Sequence, residues 1–108
     1  MSIIEKSGDG LTLINVFRVK PENQDKLVAL LIEATERTMK RLPGFISANI
    51  HKSFDGTRVV NYAQWRSRKD FETMTQNPES RLHIEAAAAL AEFDPILCEV
   101  VDSISVNE

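Results

Sequence analysis

Asp55-Gly56 separates two stretches, Phe45 to Phe54 and Arg58 to Trp65, whose apolar residues recur at every second position. Both residues tolerate positive φ, so between alternating runs the pair favours a tight hairpin turn. The rest of the chain must fold around that hairpin. Upstream, Leu11 to Val19 is rich in β-branched and aromatic residues and closes on Lys20-Pro21, which reads as a strand. From Glu22 to about Arg41, Leu27, Leu30, Leu31, Ala34, Thr38 and Leu42 follow helical spacing, and Pro43-Gly44 stops the run. Downstream, Ser67 with Asp70 three residues later reads as an N-cap with an acidic third residue, opening a second helix through about Gln76. Pro78-Glu79 marks a restart. Ser80 to Phe93 is helical by propensity, and Asp94-Pro95 ends it before a closing strand from Ile96 to Ser105.

The order β, α, β, β, α, β with right-handed crossovers gives a ferredoxin-like α+β domain. It is a four-stranded antiparallel sheet with the helices on one face and strands one and three as central neighbours. Residues 11–108 are expected to form this single domain after a flexible leader at 1–10. The second sheet face should be wet, yet strand one carries Ile14 and Val16 there. The last strand is apolar on both sides, with Ile96, Cys98 and Val100 opposite Leu97 and Val101. A sheet that is apolar on both faces is normally covered on both, and the expected cover is a second copy of the chain, giving a homodimer through the sheet.

A net charge of -3 over 108 residues, with no basic run interleaved with aromatics, argues against nucleic acid. The lone cysteine, Cys98, offers no disulfide and no metal-ligand spacing. No stretch is apolar enough to span a membrane, and the N-terminal ten residues lack a signal-peptide pattern, so the expected location is the cytoplasm. Glycine-rich phosphate loops, HExxH and serine elbows are all missing.

What stands out is polarity on an apolar face. Val59, Asn61, Ala63 and Trp65 share one side of strand three, and Asn15 likewise interrupts the Leu11, Leu13, Phe17, Val19 side of strand one. Two amides and an indole N–H should point beneath the helices. A buried amide without a partner costs about 1–3 kcal/mol, so each needs the backbone, water, the other amide or a ligand.

The run Asp55-Gly56-Thr57-Arg58-Val59-Val60-Asn61-Tyr62-Ala63-Gln64-Trp65 followed by Ser67, with Leu42-Pro43-Gly44-Phe45 upstream, resembles the central hairpin of the antibiotic biosynthesis monooxygenase family. The resemblance covers about residues 11–101. It implies a dimeric α+β barrel that oxidises anthrone-like, phenolic or quinol-like substrates with O2 and no cofactor. It makes Asn61 and Trp65 the catalytic candidates and places Asn15, Phe71, Ile50, Met74, Arg81 and His83 in contact with substrate. Phe71 and Ile50 stand where polyketide oxygenases of the family carry tyrosines, and their helical arginine falls near Ile84, with Arg81 or His83 as the candidate replacement. A haem-degrading branch of the superfamily is the alternative. It uses a strand-one asparagine, matched by Asn15, a helical tryptophan whose position falls at about Met74, and a histidine beside His83. A non-catalytic dimeric small-molecule-binding stress protein is the third reading. His51, set opposite Ile46, Ala48 and Ile50 in strand parity, should point away from Asn61.

Overall fold

The computed structural model describes residues 10–106; the expected leader lies almost wholly outside them. Four strands, β1 (Leu11–Val19), β2 (Phe45–Lys52), β3 (Arg58–Trp65) and β4 (Ala91–Cys98), form one antiparallel sheet in the order β2-β3-β1-β4. Helices α1 (Gln24–Arg37), α2 (Arg68–Gln76) and α3 (Pro78–Leu90) supply the residues that pack on one face. The expected long first helix is shorter than its apolar stripe, with single 3-10 turns at Pro21–Asn23 and Met39–Arg41 continuing it at each end.

The register brings Leu13 opposite Ala63, Asn15 opposite Asn61 and Phe17 opposite Val59. Facing residues of antiparallel strands share a side, so Asn15 and Asn61 lie side by side in the middle of the sheet, beneath the helices. A bulge at Phe45/Ser47 resets β2. Ile46, grouped by simple parity with Ala48 and Ile50, is instead 56% exposed, while Phe45 joins the inner cluster. His51 pairs with Val60 and is exposed, away from Asn61 as expected.

The hairpin turn is built on Asp55, which accepts from the Ser53 hydroxyl, the Thr57 N–H and the Thr57 hydroxyl at 2.7–3.0 Å. These donors hold its carboxyl down at about 2. Gly56 takes φ +83 in the same turn. Gly44, at φ +86, meets a different demand: a Cβ there would overlap the Asp70 carboxyl. Its carbonyl accepts from Arg66 N–H at 2.7 Å, so the start of α2 closes directly over the start of β2. Ser67 caps α2 as its spacing implied, its hydroxyl accepting from Asp70 N–H at 3.1 Å. Asn77 then ends α2 and caps α3, accepting from Glu79 and Ser80 N–H.

The last strand departs most from the sequence reading. Helix α3 ends at Leu90, and Ala91, Glu92 and Phe93, expected to be helical, open β4. Phe93 pairs with Phe17, their rings 5.3 Å apart, and this packing overrides local helical preference. Pro95, expected to stop structure, sits inside β4 opposite Asn15. An edge strand pairs on one side only, so a missing N–H is tolerated there. The strand ends at Cys98 rather than Ser105, leaving Val101, Ile104 and Val106 exposed beyond the sheet. Ile96 and Cys98 do lie opposite Leu97 in parity, as expected.

Candidate active site

Four alanines make the site. Ala48 and Ala63 sit side by side on β2 and β3, and Ala34 and Ala87 face the sheet from α1 and α3. Where four large side chains would have filled the layer, a cavity of about 280 Å³ remains, close to the lower end of the ~300–1,000 Å³ typical of small-molecule sites. Its floor is the inner sheet face, with Asn15, Asn61, Ala63 and Trp65. Its walls include Phe71, Met74, His83 and Ile84 from the two later helices, with Phe45, Phe93 and Pro95 on the strands.

Most of the sequence candidates therefore converge: Asn61, Trp65, Asn15, Phe71, Met74 and His83 all line this cavity. Ile50 and Arg81 are not among the residues that line it. Ile50 is opposite Asn61 in the β2–β3 register but packs against the neighbouring cluster of Phe17, Val19, Leu27 and Val59. Arg81 is exposed and lines a separate groove with Thr75, Gln76, Ile84 and Glu85, because its position on α3 turns it from the sheet. Phe93 and Pro95 were hidden from sequence reading by the misplaced start of β4.

Two acceptors on the floor are without partners. The side-chain oxygens of Asn15 and Asn61 are fully buried, and neither bonds to the other amide nor to any other group. Trp65 is 2% exposed and held edge-on between Phe45 and Phe71, with ring centroids 5.4 and 6.3 Å away. That clamp fixes where its N–H points. An amide carries both donors and an acceptor, so each can hold a substrate carbonyl or hydroxyl oxygen. The floor thus places uncharged hydrogen-bonding side chains, Asn15, Asn61 and Trp65, in an apolar box. Such groups stabilise charge that develops on a bound oxygen, and they do so more strongly where water is excluded.

This fold and this site define a class, the small ferredoxin-like oxygenases, and the chain belongs to the antibiotic biosynthesis monooxygenase family, whose model matches residues 10–86. It is a monooxygenase. It is 45% identical over 107 residues to Tetracenomycin-F1 monooxygenase of Streptomyces glaucescens, covering 99% of this chain and 96% of that one. Among solved structures it is similar to the monooxygenase from the gene ActVA-Orf6 of Streptomyces coelicolor, solved in complex with nanaomycin D. That match has a TM-score of 0.82 and 32% identity, and covers 90% of this chain and 92% of that one. SnoaB from Streptomyces nogalater, a cofactor-independent oxygenase, shares the fold with a TM-score of 0.75 at 23% identity, covering 94% and 100%.

Proposed function

We propose that the protein oxidises a flat, polycyclic anthrone-like or phenolic polyketide with O2, without metal or flavin, in the cavity floored by Asn61 and Trp65. The observation that carries this reading is the pair of buried, unpartnered amide oxygens, those of Asn15 and Asn61, beneath an apolar roof. The relative named for tetracenomycin F1 and the structure holding nanaomycin D support the substrate class. A ring system lying over Ala63 can touch Asn61 on one side and Trp65 on the other. Loss of a proton from the substrate leaves an electron-rich carbanion or phenolate, whose oxygen takes the amide and indole N–H bonds. That anion reduces O2 directly, a C–O bond forms, and the resulting hydroperoxide loses water to leave a carbonyl. In sum, a methylene and one O2 become a carbonyl and one water, so the oxidant is O2 alone.

Asn61→Ala should lower turnover of a model anthrone such as dithranol by roughly ten- to a thousand-fold, the scale of losing one aimed donor. Trp65→Phe keeps the ring clamp, removes the N–H and should slow the reaction in a folded protein. Oxygen consumption at the wild-type rate in both folded variants refutes the assigned site.

Ile14, Val16, Val60 and Tyr62 are half-buried on the uncovered sheet face, and Ile96 beside them is 44% exposed. A second copy packed sheet to sheet is the proposed cover, making the enzyme a homodimer. No helix among the described residues is long and apolar enough to cross a membrane, and the single unpaired Cys98 suits the proposed cytoplasmic location. The haem-degrading alternative gains no support from the site. Met74 stands where that branch places its tryptophan, and His83 spends Nε2 on a protein hydroxyl at 3.0 Å.

A further inference from the structure

Twenty residues line the cavity, and His83 is the one with a titratable side chain. The other walls carry Ala34 and Thr35 of α1, Met74 and Thr75 of α2, and Asn15 and Asn61 of the sheet, none of which titrates or carries charge. A carboxylate reaches the ring through a hydroxyl. Thr38, at the end of α1 and 4% exposed, lies 3.0 Å from His83 Nε2 and 2.5 Å from the Glu79 carboxylate. Glu79 and His83 are one turn apart on α3, so both reach the same Thr38 hydroxyl.

The direction of these bonds follows from counting hydrogens. A hydroxyl has one hydrogen, and a carboxylate can only accept. The Thr38 O–H therefore donates to Glu79, and its lone pair accepts from His83 Nε2–H. A neutral imidazole with its hydrogen on Nε2 has its free lone pair on Nδ1, and no hydrogen bond among the described residues occupies that atom. A chain from carboxylate to hydroxyl to imidazole, ending in an unoccupied lone pair on a cavity-lining ring, is the arrangement by which a base is oriented and its protonated form stabilised.

We propose that His83 is the general base of the reaction and that Thr38 and Glu79 are positioning residues that keep Nδ1 free to act. The proposal deepens the oxygenase reading above and rests on it. In the step, the acidic C–H or O–H of the bound aromatic breaks, its electron pair stays in the ring system and the proton goes to Nδ1. The imidazolium keeps its Nε2–H bond to Thr38, and the Glu79 carboxylate beyond it offsets the new positive charge. No electron is exchanged until O2 meets the anion, and the floor amides are the groups that would hold its oxygen. Base and amides stand on different walls of one cavity, so a flat substrate can meet both.

With dithranol as substrate and the spontaneous rate subtracted, His83→Ala should lose a hundred- to ten-thousand-fold in turnover. Added imidazole should restore part of it by occupying the vacated space. Thr38→Val should lose about tenfold while Thr38→Ser keeps the hydroxyl and most of the rate. A second readout is independent of oxygen chemistry. Quinizarin is yellow as the neutral phenol and violet as the anion, and its binding should quench Trp65 fluorescence because Trp65 lines the cavity. Wild type should bind it with a shift toward the violet form, and His83→Gln should bind it yellow. If dithranol is not oxidised by wild type, the oxygenase reading falls while the dye still reports proton transfer. If wild type oxidises it and Asn61→Ala is slow, but folded His83→Ala keeps its rate and the dye colour is unchanged in His83→Gln, this proposal alone is overturned. Parallel losses of melting temperature and rate in His83→Ala, with no rescue by imidazole, overturn it too, because a purely structural tie gives that pattern.

Discussion

Asn61→Leu should make the protein more stable and less active at the same time. The Asn61 side-chain oxygen is buried without a partner, as is that of its cross-strand neighbour Asn15. An unmatched buried polar atom costs about 1–3 kcal/mol, and replacing it with an apolar side chain of similar shape removes that cost. The added methyl groups enter a cavity of about 280 Å³, so overpacking does not cancel the gain. Taking the low end, about 1 kcal/mol, the melting temperature should rise by roughly 4–8 °C for a domain of this size. Turnover of dithranol should fall by at least the ten- to thousand-fold expected of Asn61→Ala, the trade expected when a site is held in a destabilised state for function. The double variant with Asn15→Leu should gain less than the sum, because the two residues face each other across β1 and β3. Calorimetry and an oxygen electrode on the same preparations decide it. A fall in melting temperature on Asn61→Leu would show that the amide is satisfied in the folded enzyme and stabilises it, and the reasoning for the site would fail with it.

Three further outcomes follow from the packing. Gly44→Ala forces a side chain onto a residue at φ +86 and into the Asp70 carboxyl, and should destabilise by roughly 2–4 kcal/mol in denaturant titration; a loss below 0.5 would contradict the close approach of α2. The Asp55 carboxyl is lowered from 3.8 to about 2 by the Thr57 hydroxyl, the Thr57 N–H and the Ser53 hydroxyl. Its contribution is therefore fully present above 3.8 and lost as pH falls toward 2, so Asp55→Ala should lower stability at neutral pH and flatten the decline across that window; parallel wild-type and variant curves would refute it. Ile14→Glu with Ile96→Glu should give a folded monomer by light scattering where wild type should give a dimer, and a wild-type monomer would remove the sheet-to-sheet pairing.

The middle of the chain was legible because its signals are local and agree. The period-two runs, Asp55-Gly56 and the Ser67 cap each fix one element, and strand parity alone put Asn61, Ala63 and Trp65 on one face. The row of Asn15 beside Asn61 followed once the order of strands was inferred. The errors came where tertiary contacts overrule local preference. Helical propensity carried α3 through Phe93, while pairing of Phe93 with Phe17 makes that segment a strand. Pro95 signals a break, and only an edge position allows it inside β4. A bulge cannot be read from alternation, so Ile46 was put on the wrong side. The Thr38–Glu79–His83 chain joins residues 41 and 45 positions apart. The i, i+4 spacing of Glu79 and His83 was visible, but nothing in the sequence shows that Thr38 lies across from both.

The central claim is that this cavity oxidises an anthrone with O2 by itself. The direct test is oxygen uptake with dithranol by protein stripped with chelator and shown free of flavin by absorbance, read against the spontaneous background. The account predicts uptake well above background, one O2 consumed per quinone formed, and no change on adding chelator, iron or flavin. Uptake at the background rate, or uptake that appears only when iron or flavin is supplied, would contradict it.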